Sequence, residues 1–189
     1  MSRKFISAVP EGFQLIACGP ERAQDAIDMR DAILADIAQT NPGWYIIDET
    51  DDEFRDFFVS PECVALGIVA SDGTLAGVGV ASFRPAELER FRPYIAPEEF
   101  AKPRNVGYVE LIQIALGFRG HGFQRLLFAE LEAWLKENGA TLSTSIVSPD
   151  NRYSLANFAK MGYRRVGEFT HKGTGYPRLN MIKRLDDQR

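Results

Sequence analysis

The sequence predicts a single domain of the α/β (α+β) class, in which helices cover a mixed β-sheet. Short apolar segments with strand periodicity alternate with longer segments of helical periodicity, and glycine-containing turns join neighbouring strand segments. One strand also runs through a glycine-flanked turn directly into an amphipathic helix. With 189 residues, 45% of them hydrophobic, the chain can bury one core and is short for two. Residues 1–189 are therefore predicted to form one domain.

The first predicted elements are a strand at residues 13–18, where side chains alternate, and a helix that Gly19-Pro20 opens. One face of this helix is apolar and should pack on the sheet. The residues of that face are Ala26, Met29, Ile33 and Ile37. The helix ends near Asn41, and a capping box at Thr50 and Glu53 starts a second, short helix.

A β-hairpin is predicted next, with strands at 64–70 and 75–83 around the turn 71–74. Residues 84–105 then form a long, charged connection that contains prolines, with a helical turn predicted at 97–101. A connection of this length is more often functional or mobile than a simple link.

The second half begins with the most strand-like segment, residues 106–116, which the glycine turn joins to a helix ending at Asn138-Gly139. The buried stripe of that helix is Leu127, Leu131, Trp134 and Leu135. A strand at 141–147, a short helix that ends at Lys160 and two strands around a turn at 172–175 complete the chain. The order is β-α-α-β-β-β-α-β-α-β-β, with a βαβ unit in its second half.

The turn Arg119-Gly120-His121-Gly122 is the most informative feature of the chain, because it can hold an anion. A helix start leaves backbone N–H groups unpaired and carries the positive end of the helix dipole. Glycines let a phosphate approach the backbone without meeting a Cβ atom. The turn therefore points to a phosphorylated ligand.

Other phosphate-binding and catalytic motifs do not fit the sequence. There is no Gly-x-x-x-x-Gly-Lys-Ser/Thr run, and Arg125 stands where a dinucleotide-binding turn would need its third glycine. No Gly-x-Ser-x-Gly or His-Glu-x-x-His motif occurs, and the two histidines, His121 and His171, give a hydrolase triad little to draw on. ATP hydrolysis and nicotinamide or flavin chemistry are thus disfavoured.

Charge is distributed unevenly along the chain. Residues 21–62 hold twelve acidic and three basic side chains, whereas residues 119–184 hold eleven basic and five acidic ones. The acidic half is either a solvated helix surface or a face for a cationic partner. The net charge of −4 disfavours a nucleic-acid partner.

The remaining composition suggests a cytoplasmic protein. Cys18 and Cys63 lie far apart in apolar segments, without the spacing of a metal site, so no metal is expected. The N-terminus lacks the apolar region of a secretory signal, and no apolar run is long enough to span a bilayer. We expect no membrane association.

Two motifs together resemble the GNAT superfamily of acyl-CoA-dependent N-acetyltransferases. The family signature Arg/Gln-x-x-Gly-x-Gly/Ala is matched by Arg119 and Gly122, and departs at Gln124. Ile114-Ala-Leu116 stands in place of the Val-x-Pro-like residues before that arginine. Downstream, 151–163 supplies the second motif, an Asn that starts a helix ending in Gly-Tyr. The resemblance implies a mostly antiparallel, twisted sheet of six to seven strands with helices on both faces.

The resemblance also implies acetyl-CoA as co-substrate. Backbone N–H groups of the turn would hold its pyrophosphate, and the end of the preceding strand would pair with the pantetheine. The implied cofactor-binding residues are Ile114, Ala115, Leu116, Arg119, Gly120, His121, Gly122, Phe123, Gln124, Asn151, Ser154 and Phe158. His121 is expected to point to solvent rather than to touch a phosphate. Asn151 serves either the cofactor or the helix as a cap.

The implied reaction is direct attack of a neutral amine on the thioester, which needs a base because an ammonium has a pKa of about 10.4. Glu110 is the candidate, placed on the face of its strand with Tyr108, Ile112 and Ile114, where apolar neighbours should raise its pKa. A structural or ligand-orienting role is the alternative for Glu110.

The general acid that the family takes from a tyrosine of the second motif is missing, because Phe158 stands there. Tyr153, Tyr176 or water could replace it, or the thiolate could leave unaided. Tyr153 is the side chain that we name as catalytic beside Glu110. A non-catalytic acyl-CoA sensor of the same fold is the alternative to an enzyme.

The acceptor is predicted to enter between the N-terminal helices and residues 84–105. Trp44, Tyr45 and Tyr108 are the candidate substrate-binding residues, although packing of the helix ends is the favoured role of the aromatic pair at 44–45. We expect a small-molecule amine, while polyamine, aminoglycoside, amino acid and protein N-terminus remain open. A homodimer is expected because the resemblance to the GNAT superfamily implies one.

Overall fold

The computed structural model describes residues 5–44 and 49–186, and it confirms the predicted fold class and element order. Seven strands form one sheet in the order β1-β2-β3-β4-β5-β7-β6. The strands are β1 (Phe13–Ala17), β2 (Cys63–Ala70), β3 (Leu75–Ser82), β4 (Val106–Ile114), β5 (Leu142–Val147), β6 (Arg164–Thr170) and β7 (Pro177–Arg184). All neighbouring strands are antiparallel except β4 and β5, which are parallel.

Six α-helices are found in the described part of the chain, and they pack on both faces of the sheet. They are α1 (Ala23–Thr40), α2 (Asp51–Asp56), α3 (Pro85–Leu88), α4 (Pro97–Phe100), α5 (Phe123–Glu137) and α6 (Arg152–Lys160). The predicted capping box at the start of α2 is present. None of the helices within residues 5–44 and 49–186 combines the length and apolarity needed to cross a membrane.

The connection 84–105 is more helical than its sequence suggested. Besides the expected turn at α4, it contains α3 and a 3₁₀ segment, Glu89–Tyr94. Proline stands in the first turn of both α3 and α4, where its fixed φ and missing N–H favour a helix start. The buried ring of Phe91 then packs near Tyr108, which ties this connection to the sheet.

The parallel strands β4 and β5 diverge along their length. They pair only from Val106↔Leu142 to Tyr108↔Thr144. Just beyond that point the Ser145 hydroxyl donates to the Val109 carbonyl at 2.9 Å, and no further register pair follows. The sheet therefore opens between the C-terminal ends of two neighbouring strands, which is where ligands commonly bind in α/β folds.

A β-bulge at Glu110 decides which side chains face which helix. Val80 pairs with Leu111 and Ala81 pairs with Val109, so Glu110 is the extra residue on β4. After the bulge, Ile112 and Ile114 pack in the hydrophobic cluster that contains the leucines of α5 (the cluster of α5). Leu111 packs in the cluster that contains the isoleucines of α1 (the cluster of α1). The alternation of side chains is thereby shifted by one residue.

This shift corrects the prediction that Glu110 shares one face of its strand with Tyr108, Ile112 and Ile114. A strand without a bulge would place Tyr108, Ile112 and Ile114 on one face. Instead, Tyr108 packs with Phe91 in a separate cluster, away from α5. The side chain of Glu110 lies on the Tyr108 side, since its carboxylate accepts a hydrogen bond from Ser82, the register partner of Tyr108.

Helix α5 packs closely over β3 and β4 because glycines face it. A Cβ atom on Gly79 would lie 3.0 Å from Leu131, and one on Gly107 would overlap Leu135. Leu127, Leu131 and Leu135, three residues of the predicted stripe, are fully buried. This packing fixes the start of α5 at the open end of β4.

Candidate active site

One cavity of about 770 Å³ follows the gap between β4 and β5. Its walls are the ends of both strands, the turn before α5, helix α6 and part of α1. The lining comprises residues 109–114 of β4, 118–120 and 122–125 of the turn and α5, 145–148 of β5, and side chains from Ile33, Ile37, Trp44, 151–160 and Arg178. The predicted turn, the candidate base and the second motif thus meet in one place.

The start of α5 has the features of an anion site. Gly120 and Gly122 adopt left-handed conformations, with φ of +88° and +77°. A Cβ atom on Gly120 would meet no described protein atom within 4 Å, and one on Gly122 would meet only the Arg125 guanidinium, at 3.7 Å. Gly122 is the N-cap and provides no side-chain hydrogen bond to the helix. Open space therefore lies before unpaired N–H groups, which fits a pyrophosphate.

The structure brings most of the predicted cofactor residues to the cavity, but not all. Arg119, Gly120, Gly122, Phe123, Gln124 and Ile114 line it, and so do Asn151, Ser154 and Phe158. Ala115, Leu116 and His121 lie outside the lining. Ala115 packs toward α1, and Leu116 is 41% exposed at the start of a 3₁₀ turn.

His121 is exposed, as expected. Its Nδ1 atom lies 3.1 Å from the Phe118 carbonyl oxygen, and its ring stacks on Phe123 at 5.4 Å between centroids. These contacts hold the ring on the outer side of the turn. The backbone of the turn is consequently what faces the cavity.

Gln124, the departure from the family signature, connects the two motifs. Its Nε2 donates to the Ser154 hydroxyl at 3.3 Å, and its Oε1 accepts from Asn157 Nδ2 at 2.6 Å. Asn151 caps α6, since its Oδ1 accepts from the Ser154 N–H at 3.1 Å, and it also lines the cavity. Capping and ligand contact are thus compatible for Asn151.

Phe158 lies at the base of the cavity in an aromatic cluster. Its ring is 3% exposed and makes edge contacts with Phe128 and Tyr163, each at 5.0 Å between centroids. The Tyr163 hydroxyl is already bonded to Ser143, at 2.6 Å. Phe158 therefore packs the cavity wall and has no proton to give.

Tyr153 is the tyrosine hydroxyl that the described lining offers. Its side chain is 60% exposed, its hydroxyl accepts from Arg152 Nη2 at 3.1 Å, and its ring contacts Trp44 edge-on at 5.9 Å. Tyr176 lies elsewhere, close to Gly43.

Glu110 lines the cavity at the bulge of β4. Removal from water raises the pKa of its carboxyl to about 8. The Ser82 hydrogen bond opposes that rise, Glu87 and Glu49 add to it, and Arg84 opposes it. A carboxylate of this kind takes up a proton near neutral pH, which a general base requires.

The predicted acceptor residues separate in the structure. Trp44 lines the cavity, whereas Tyr108 is buried beside Phe91, outside the lining. Tyr108 packs against Phe91 in the core, whereas Glu110, on the same side of β4, reaches the cavity. Tyr45 lies outside the described residues.

Three cavity or near-cavity residues escaped the sequence reasoning: Ser82, Gln113 and Arg178. Ser82 bonds to Glu110, and Gln113 and Arg178 are buried polar side chains of the lining. Only Gln113 carried a signal, because it is a glutamine between two isoleucines in the most strand-like segment of the chain. Ser82 and Arg178 come from distant strands, so only the fold reveals them.

Comparisons with known proteins agree with this geometry. The sequence model of the Acetyltransferase (GNAT) family matches residues 31–163. No curated protein matches the chain in sequence. The chain is also similar to several solved structures. Their sequence identities to this chain are low, so the similarity concerns the fold alone.

Ribosomal-protein-S5-alanine acetyltransferase from Vibrio fischeri superposes with a TM-score of 0.70 at 15% identity, over 97% of this chain and 99% of that one. A GCN5-related N-acetyltransferase from Kribbella flavida gives a TM-score of 0.68 at 20% identity, over 93% and 99%. The yncA protein from Salmonella typhimurium, solved with its cofactor acetyl-CoA, gives a TM-score of 0.68 at 13% identity, over 94% and 96%.

Proposed function

Because the chain belongs to the acetyltransferase (GNAT) family, we propose that it transfers the acetyl group of acetyl-CoA to the primary amine of a small molecule. The observation that carries the proposal is the single cavity that joins an anion-binding helix start to a partly buried carboxylate of raised pKa. An anion site alone would fit a binding protein, and a carboxylate alone would fit many roles. Their connection through the strand gap fits a cofactor with a phosphate end and a reactive end.

The residues of the turn would hold the pyrophosphate of CoA through the N–H groups at the start of α5. The opened edge of β4 up to Ile114 would bind the pantetheine, since β5 no longer pairs with it there. Acetyl-CoA supplies an activated acyl carbon. Everything else needed for transfer has to come from this chain and the acceptor.

Transfer forms a C–N bond and breaks a C–S bond, so one proton leaves the amine and one reaches the departing sulfur. Glu110 removes the amine proton as general base, and its pKa of about 8 suits that task. Arg84, which bonds Asp56 at 2.5 Å, opposes the rise in the pKa of Glu110. The reaction proceeds by direct attack within a ternary complex.

Tyr153 protonates the departing thiolate in this proposal. It lines the cavity and carries a hydroxyl, and it replaces the tyrosine that the family has at the position of Phe158. Its hydroxyl oxygen accepts a hydrogen bond from Arg152 Nη2 at 3.1 Å, which orients the phenol group. A CoA thiol is acidic enough for this step to contribute modestly.

The acceptor would reach the Glu110 end of the cavity, with Trp44 as a wall residue. The charges of Glu87 and Glu49 raise the pKa of Glu110, and negative charge near this carboxyl favours a cationic amine. Two of the similar structures are named as acetyltransferases of ribosomal-protein alanine residues. A polypeptide N-terminus is therefore the second acceptor class to test.

Thiol release with a panel of amines, measured beside CoA binding by calorimetry, tests the proposal. The panel should include polyamines, aminoglycosides, amino acids and short peptides. Release above the hydrolysis background with any small amine supports it. CoA binding without turnover across the panel would favour a sensor of acyl-CoA, and absence of CoA binding would contradict both. A homodimer and a cytoplasmic location stay predictions.

A further inference from the structure

Gln113 is a buried amide in the wall of the cavity. Its side chain is 1% exposed, and neither Oε1 nor Nε2 has a hydrogen-bond partner among the described residues. A buried polar group that loses water without gaining a hydrogen bond lowers stability, and native proteins keep few of them. Folding alone does not explain why a glutamine stands here.

The surroundings of Gln113 are apolar. Its register partner is Val78, and its neighbours Leu111 and Ala115, two residues away on either side, pack in the cluster of α1. Gln113 therefore lies on the α1 face of β4, and it belongs to the cavity lining together with Ile33 and Ile37 of that helix.

Gln113 also lies between the two ends of the proposed cofactor site. It is three residues from Glu110, or about 10 Å along the strand at about 3.3 Å per residue. In the other direction β4 leads to the glycine turn, whose first residue is Arg119. A ligand that reaches from the anion site to Glu110 has to pass Gln113.

We propose that the side chain of Gln113 binds an amide of the pantetheine arm of CoA. A primary amide offers one acceptor and a pair of donors, and the group that satisfies both kinds at once is another amide. The arm between the pyrophosphate and the sulfur of CoA carries such amides. The proposal rests on the proposed function, and it adds a side-chain contact to the backbone contacts of β4.

This role predicts opposite effects on stability and on binding. Gln113→Leu removes both unsatisfied atoms and keeps an apolar side chain of similar length in an apolar site. Replacing an unsatisfied polar group in this way is neutral or stabilising for the free protein. The same change removes the partner of the bound amide, so CoA affinity falls.

The test compares CoA with adenosine 3′,5′-bisphosphate, a probe that has the nucleotide end and lacks the arm. For Gln113→Leu we expect CoA binding to weaken about five- to tenfold, as for one or two hydrogen bonds. Binding of the bisphosphate and the melting temperature of the free protein should not fall. The control is Gln14→Leu, the same substitution at an exposed position of β1, which should leave all three unchanged.

The outcomes separate this inference from the proposed function. If the native protein binds CoA and Gln113→Leu binds it equally well, the role of Gln113 is refuted while the function stands. Equal weakening of CoA and of the bisphosphate would also refute it, because the arm would not be the group affected. Gln113→Asn, whose amide is one methylene short, should bind CoA no better than Gln113→Leu if contact geometry matters.

Discussion

Asn157 donates a hydrogen bond from Nδ2 to Oε1 of Gln124 at 2.6 Å, and this bond joins α6 to the first turn of α5. The family signature has a small residue at the position of Gln124. Here the longer side chain crosses to the second motif and also donates to Ser154. The departure from the signature thus creates a link between both halves of the cofactor site.

Removing this link should weaken the site without disrupting the turn. For Gln124→Ala we expect a loss of about 1 kcal/mol in the free energy of unfolding and a few-fold weaker CoA binding, because α6 is no longer held to α5. A double-mutant cycle with Asn157→Ala measures the link itself. A coupling energy of about 0.5–1.5 kcal/mol is expected, whereas strict additivity would show that the two residues act independently.

The glycine turn should be sensitive to a single methyl group. Gly122→Ala places a Cβ atom in the space assigned to the pyrophosphate, at a residue with φ of +77°. We expect CoA binding to fall by more than about tenfold, with a backbone cost of about 1 kcal/mol for the left-handed conformation. Calorimetry and thermal unfolding measure the two effects.

Gly139→Ala is the matched control for that prediction. Gly139 ends the same helix, has φ of +103°, and a Cβ atom there would meet nothing within 4 Å of the described protein. The backbone cost is therefore similar, but the residue is remote from the cavity. If both variants lost CoA affinity equally, general destabilisation rather than the phosphate site would be the cause.

These local features show how far sequence reasoning reaches. The capping box at Thr50 and the glycine turn were predictable because their chemistry is set by residues a few positions apart. The bulge at Glu110 was not, because it depends on how β4 registers with β3. The partners Ser82 and Arg178 likewise reach the site through pairings distant in sequence. Residue types of the site were thus more predictable than their orientation.

The pKa of Glu110 predicts the pH dependence of the reaction. Since that pKa is raised to about 8, the basic form increases as pH rises through this value, and kcat/KM should rise with it. Glu110→Gln should lower kcat/KM by about 10²-fold near pH 7. The loss should shrink toward pH 10, where free amine is abundant. A loss independent of pH would argue for a structural role of Glu110.

The same raised pKa has a consequence for stability. The folded protein holds a proton on Glu110 between about pH 4.5 and about 8, where an unfolded chain has released it. The contribution of Glu110 to stability is therefore present at low pH and is lost as pH rises through about 8. Glu110→Gln should flatten this part of the stability curve, which denaturant unfolding from pH 5 to pH 9 can measure.

Ser82 should tune the base without touching the substrate. Its hydroxyl donates to Glu110 and thereby lowers the pKa of that carboxyl against the effect of burial. For Ser82→Ala we expect the inflection of the kcat/KM profile to move to higher pH, with the plateau at high pH little changed. Ser82→Thr, which keeps the hydroxyl, should restore the native inflection. An unshifted profile in Ser82→Ala would show that the hydrogen bond does not control the base.

The last prediction concerns proton delivery to the leaving sulfur. Tyr153→Phe keeps the ring that contacts Trp44 and removes only the hydroxyl, so we expect kcat to fall about tenfold while CoA affinity stays the same. Tyr176→Phe removes a hydroxyl outside the cavity lining and should leave kcat unchanged.

Adding Phe158→Tyr to Tyr153→Phe returns a hydroxyl to the position where the family has one, and recovery of kcat is expected. Because Phe158 is packed between Phe128 and Tyr163, thermal unfolding of the double variant has to accompany the kinetics. Native kcat in Tyr153→Phe would mean that the thiolate leaves without a protein acid.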